Sequence, residues 1–166
     1  MTFRHRALIP LLLSAILLVP TLAPAGDGVN GMNEQPIHDA ARMGTRAQVE
    51  SILRQNPQAR DARTDDGATP LHYAALNEDD GPLRALIAAG ANVNARDREG
   101  RTPLHMAAFA TRSRHALPLL EAGADPYAKT NAGRDVTSMA RKVRADEFAG
   151  IVSLWLLKGC KPGKPC

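Results

Sequence analysis

The sequence predicts an all-α fold, a solenoid of about four stacked helix-turn-helix units with projecting hairpin-like fingers. Three observations predict it. The phrase DDGATPLHYAA, Asp65 to Ala75, returns as REGRTPLHMAA, Arg98 to Ala108. Gly67, Gly100 and Gly133 recur at intervals of 33 residues, and the two complete phrases each lead to a second apolar set that ends in a glycine, Gly90 or Gly123. A period of that length describes a unit that cannot bury its apolar face alone, so that neighbouring copies must supply the core. With 166 residues and 44% apolar content, one domain is expected.

Residues 1–25 are set aside first. Arg4, His5 and Arg6 precede an apolar run from Ala7 to Val19, and Ala23-Pro24-Ala25 offers small residues at the two positions a signal peptidase reads. The run is bracketed by Pro10 and Pro20 and is shorter than the roughly 20 residues of a spanning helix, so a cleaved secretory signal is favoured over an anchor. The expectation is export to the periplasm or beyond, cleavage after about Ala25, and no membrane attachment afterwards. Removing two arginines and no acids takes the net charge from +4 to +2, which leaves little electrostatic footprint for nucleic acid. Residues 26–33 form a flexible lead.

The units follow as about 34–66, 67–99, 100–132 and 133–159. In the second and third, Thr69-Pro70 and Thr102-Pro103 place a capping hydroxyl before the one helical position where a missing N–H costs nothing. Leu71, Ala74 and Ala75, matched by Leu104, Ala107 and Ala108, give this first helix a narrow face of small residues for close packing. Leu83, Leu86 and Ile87 before Gly90, and Leu119 and Leu120 before Gly123, mark a second helix with a glycine cap. Ala91 to Gly100 has no helical period and reads as an extended excursion closed by a tight turn. Pro118 falls within the second helix of the third unit, which predicts that this helix is short.

These residues resemble the ankyrin repeat family, whose pattern combines Thr-Pro-Leu-His, Gly-Ala-x-x-Asn-Ala and a period of 33. Thr69-Pro70-Leu71-His72 with Gly90-Ala91-Asn92-Val93-Asn94-Ala95 matches in full, and Thr102-Pro103-Leu104-His105 with Gly123-Ala124 nearly so. The first unit keeps Pro36, His38 and the alanine pair Ala40-Ala41, while the last has lost Pro, Leu and His. Degraded units at both ends are expected of caps, which show one face to water. The last unit has 26 residues from Gly133 to Gly159 against 23 from Gly100 to Gly123, so its second helix should be longer, with Phe148, Ile151, Val152, Trp155 and Leu156 closing the core. The glycine usual after the first helix is present as Gly44 but replaced by Glu78, Thr111 and Arg144, which predicts longer or less regular turns there.

The resemblance also implies that His38, His72 and His105 bond to the helix-start threonine and to backbone between units. Their spacing along a stack, about 10 Å per unit, is too wide for one metal ion. His115 lies outside the pattern and is expected on the surface. Glu78, Asp79 and Asp80 lack the loop of a calcium hand and sit where acids favour a helix start. Neither a phosphate loop nor a Gly-x-Ser-x-Gly or His-Glu-x-x-His motif occurs, so a non-catalytic protein without a cofactor is expected.

What remains is binding. The resemblance implies that a partner protein meets the finger tips and the concave face of the first helices: Asp65, Asp66, Ala68, Tyr73, Leu76 and Asn77 in the second unit; Arg98, Glu99, Arg101, Met106, Phe109 and Ala110 in the third; Asn131, Arg134, Met139 and Lys142 in the fourth. Tyr73, Leu76, Met106, Phe109 and Met139 would form an apolar strip rimmed by charge. Residues 26–94 carry a net −4 and residues 95–145 a net +5, so an acidic partner patch would be steered toward Arg96, Arg98, Arg101 and Arg134. A monomeric scaffold is expected; the alternatives are an immunity or inhibitor protein for a secreted toxin, or an envelope enzyme or metal protein. Cys160 and Cys166 in the tail 160–166 are an even count in an exported chain, which favours a disulfide over free thiols; the gap does not fit a redox Cys-x-x-Cys.

Overall fold

The computed structural model describes residues 33–164 and Cys166. Its helices are α1 (Pro36–Met43), α2 (Arg46–Gln55), α3 (Pro70–Ala74), α4 (Gly81–Ala88), α5 (Pro103–Phe109), α6 (Ser113–Glu121), α7 (Val136–Lys142) and α8 (Asp146–Leu157), with a 3-10 turn at Pro57–Asp61. No strand occurs among the described residues. The helices form two rows. In one, α1 packs on α3, α3 on α5 and α5 on α7; in the other, α2 packs on α4, α4 on α6 and α6 on α8. Sequence order is therefore spatial order, as a solenoid requires.

The core lies between the rows. Leu71, Ala74 and Ala75 of the second unit and Leu104, Ala107 and Ala108 of the third are fully buried, as are Leu83, Leu86, Leu119 and Leu120. Small first-helix residues let the inner row approach closely, and branched second-helix residues fill the gap behind it. At the C-terminal end α8 is the longest helix, 12 residues, and turns Phe148, Val152 and Trp155 inward. Ile151 and Leu156 are half-buried. The tail then folds back: Gly163 N–H donates to the Leu120 carbonyl at 3.2 Å.

Each complete unit is held by its histidine. Nδ1 of His72 accepts the Thr69 backbone N–H at 3.1 Å and lies 2.9 Å from the Thr69 hydroxyl, while Nε2 lies 3.0 Å from the Arg101 carbonyl in the next unit. His105 repeats the set with Thr102 at 3.2 and 2.9 Å and with the Arg134 carbonyl at 3.3 Å. A carbonyl only accepts, so these partners assign the neutral Nε2–H tautomer. His38 makes the same pair of bonds within its own unit, taking Gln35 N–H at 2.9 Å and reaching the Ala62 carbonyl at 3.2 Å. The fourth unit has Ser138 at the histidine position, and Asp135 caps α7 directly by accepting Ser138 N–H at 2.7 Å. Removal from water lowers the pKa of His38, His72 and His105 below 6.5, and the backbone carbonyls only partly oppose it.

The fingers are tight hairpin turns. Gly67, Gly100 and Gly133 take φ of 74°, 75° and 73°. At Gly100 a Cβ would also strike the Asn131 amide, so both conformation and space require glycine there. Adjacent fingers bond to one another: Arg98 N–H donates to the Asp66 carbonyl at 2.8 Å and Asn131 N–H to the Glu99 carbonyl at 2.9 Å.

Two expectations are corrected. His115 is not on the surface; it is 1% exposed, and its Nδ1 lies 3.3 Å from the Ala75 carbonyl, fastening α6 to the end of α3. The helix with Pro118 is not short: α6 has nine residues against eight in α4. Pro118 is the sixth residue of α6, so only the N–H that would reach one first-turn carbonyl is missing, and the residue itself is buried. The turn at Glu78 is longer, as expected: six residues, Ala75 to Asp80, separate α3 from α4, against two at Gly44. Those at Thr111 and Arg144 have three, with the middle residue in the left-handed region at φ of 57° and 60°.

Two outcomes follow. A histidine kept neutral by burial binds fewer protons folded than unfolded, so its stabilisation is complete above 6.5 and is lost as pH falls through the lowered folded value. Urea unfolding should show stability falling as pH drops below about 6.5, by up to roughly 1.4 kcal/mol per pH unit for each histidine titrating. His105→Ala should lose about 1–3 kcal/mol at neutral pH and flatten that slope; an unchanged slope would mean that folding does not alter the protonation of His105. Thr111→Gly should gain about 0.5–1 kcal/mol, the relief of a β-branched residue from left-handed backbone less the entropy of a glycine, read as a raised Tm.

Candidate functional site

The exposed side of the inner helix row and the adjoining finger turns form one surface. Its first part is already occupied by the chain itself. Glu34, with a side chain 7% exposed, pairs with Arg42 at 2.6 Å and accepts the Tyr73 hydroxyl at 3.1 Å. The Arg42 guanidinium stands 4.5 Å from the Tyr73 ring centroid, and the His38 ring meets Tyr73 edge-on at 5.5 Å. Burial pushes the Tyr73 hydroxyl pKa up. Tyr73 thus contributes a half-buried, internally satisfied ring.

Beyond it lie two hollows. A small one, about 90 Å³, is lined by Asp66, Ala68, Tyr73, Leu76, Arg101 and Met106. A larger one, about 380 Å³, is lined by Arg98, Glu99, Arg101, Phe109, Arg134 and Met139, with the last finger, Thr130 to Ala132, as its floor. Arg101 belongs to both. The structure therefore brings together twelve of the sixteen residues that sequence singled out for binding, in two adjoining depressions.

The other four fare differently: Ala110 is half-buried and Lys142 exposed, and neither lines a hollow. Asp65 is exposed at the finger tip, where its carbonyl accepts from Arg98 at 2.6 Å. Asn77 is a correction: it is 8% exposed, and its Nδ2 donates to the carbonyls of Ala41 and Gly44, each at 3.1 Å. The residue holds the α1–α2 turn to the second unit and has no face left for a partner. Met139 is corrected in part, since it is 8% exposed and so lines the larger hollow from within the packed surface rather than standing out from it. Phe109, by contrast, is 58% exposed.

The arginines differ in how far the fold has used them. Arg96 donates to the Lys129 carbonyl at 2.7 Å, a rung repeated by Arg63 to the Arg96 carbonyl at 2.9 Å, so it ties fingers together. Arg101 pairs with the buried Asp97 at 2.6 Å and with Glu99 at 3.3 Å. Arg98 pairs with Asp66 at 3.3 Å across two fingers. The exposed Arg134 guanidinium has no acid within ion-pairing distance among the described residues.

Sequence reasoning missed Glu34, Arg42 and the Thr130 position. Glu34 and Arg42 lie in the degraded first unit, where no pattern assigns them a place. Among the described residues no group of three or more His, Cys, Asp or Glu is placed to hold a metal ion. Cys160 and Cys166 have Cα atoms 5.3 Å apart, within the span of a disulfide.

A family model described as ankyrin repeats, three copies, matches residues 17–130. The match covers more than two thirds of the chain and ends before α7 and α8.

Proposed function

We propose, from the premise that the chain belongs to the ankyrin repeat family, that it is an exported scaffold that binds another protein with its finger turns and inner helix row. Ankyrin repeats generally mediate protein–protein interaction and are non-catalytic modules. The observation that carries the reading here is the exposed Phe109 standing beside a hollow whose walls are charged and whose floor is a finger turn. An aromatic residue that neither the core nor the stacking contacts require has a partner as its natural neighbour. Export rests on the pattern of residues 1–25, which lie outside the described residues, and on cysteines confined to the tail.

The binding reading is tested by capture from envelope extract with wild-type protein and with Phe109→Ala and Arg98→Glu/Arg101→Glu variants. A co-eluting protein retained by the wild type should dissociate faster from Phe109→Ala and associate more slowly, with weaker salt dependence, with the charge reversal. Equal retention by all three would remove this surface as the binding face. Export predicts that protein recovered from the producing cells begins near Gly26 and has no titratable thiol until reductant is added. An intact Met1 with two reactive thiols would contradict it.

A further inference from the structure

Resting on the reading above, we propose that the larger hollow takes an acidic side chain of the partner flanked by an apolar one. Arg134 would receive the carboxylate, and Phe109 and Met139 the apolar neighbour.

The reason lies in a comparison of two units along the same chain. Arg101 and Arg134 are 33 residues apart and occupy the same place after the finger glycine, each giving its carbonyl to a histidine of the preceding unit. In the finger that ends at Gly100, Asp97 receives Arg101 twice, from the backbone N–H at 2.8 Å and from Nε at 2.6 Å, and Glu99 adds a second carboxylate at 3.3 Å. In the finger that ends at Gly133 the corresponding positions are Thr130 and Ala132. Thr130 Oγ1 still accepts the Arg134 backbone N–H, at 3.3 Å, so the turn keeps its shape. A hydroxyl cannot neutralise a guanidinium, and Ala132 offers nothing. The arginine is thus held by its backbone in the geometry in which Arg101 is ion-paired, with both carboxylates deleted.

The surroundings fit a carboxylate with apolar company. Three arginines and one acid line the hollow, and that acid, Glu99, is engaged with Arg101. A guanidinium receives a carboxylate through two parallel N–H bonds, a geometry that discriminates against the amide of the same shape. Phe109 and Met139 supply the contact surface for the neighbouring side chain, Met139 through an adaptable thioether. The opposite end of the inner row shows the same pairing already made within the chain: Glu34 against Arg42 and the Tyr73 ring.

The test uses a displayed library of random peptides panned on the purified protein. Recovered peptides should be rich in Asp or Glu beside Leu, Ile, Phe or Trp. A recovered peptide, measured by fluorescence anisotropy, should bind Arg134→Gln about tenfold or more weakly, the loss expected of a charged hydrogen-bond pair. Replacing its acid by the amide should weaken it equally. Thr130→Asp should restore the internal partner, melt no lower than the wild type and also lose the peptide, whereas Arg54→Gln, exposed on α2, should retain it. Peptides without an acid, no enrichment at all, or undiminished binding to Arg134→Gln and Thr130→Asp would overturn the proposal. The last result would leave a protein-binding function on another surface standing, and only the capture experiment above bears on that.

Discussion

The bond from a histidine ring to the carbonyl of the next unit is what the rest of this structure depends on. His72 and His105 each join a helix start, through the threonine N–H and hydroxyl, to the backbone that leaves the following finger. One neutral imidazole therefore fixes three things together: where the inner helix begins, how far the next unit stands from it, and the orientation of the finger between them. The groups involved are buried, so leaving any of them unpaired is expensive and the spacing between units is closely set. Asn77 and His115 add cross-links on the turn side, and Arg63 and Arg96 on the finger side, in each case a side chain reaching a carbonyl of another unit. Helices of five to twelve residues, too short to persist alone, are stable in this setting because each is anchored at its start and packed on both sides.

The architecture was legible in the sequence because it repeats. A threonine, a proline, two alanines and a glycine at fixed offsets each have a local physical reason, and two full copies make coincidence untenable. What was not legible follows from the same logic. His115 and Asn77 stand outside the repeated phrase and were read as surface residues, yet both point into the stack, since a unit's environment includes its neighbours and one unit's pattern does not describe them. Pro118 is disruptive by helix propensity alone, but it is buried in the fold and α6 keeps nine residues with it inside, so one missing donor does not end the helix.

The binding surface was legible only as a region. Position within the unit identified twelve residues that line the two hollows, which is what a shared backbone geometry allows. Their availability was not readable, because it depends on which acid faces which arginine across fingers. Arg96, Arg98 and Arg101 are equivalent to Arg134 as charges; in the fold the first bridges to a carbonyl of the next finger, the next two are ion-paired, and the last is exposed with no acid at pairing distance among the described residues. Long-range steering still senses all of them, since it depends on net charge and not on pairing, whereas short-range recognition senses chiefly the unpaired one.

This division of labour explains where variation is tolerated. The backbone of Arg101 and Arg134 is committed to the framework through the carbonyls that the histidines use, but their side chains are not, so the acids at 97 and 99 can be exchanged for Thr130 and Ala132 in the next unit without moving the turn. The same holds at the last inner helix, where Ser138 stands at the histidine position and Asp135 caps the helix by itself. Degradation of the repeat toward the C-terminal end therefore has two consequences from one cause. As the demands of stacking lapse, side chains that elsewhere serve the stack are released, and the released charge lies beside the most exposed aromatic ring of the inner row.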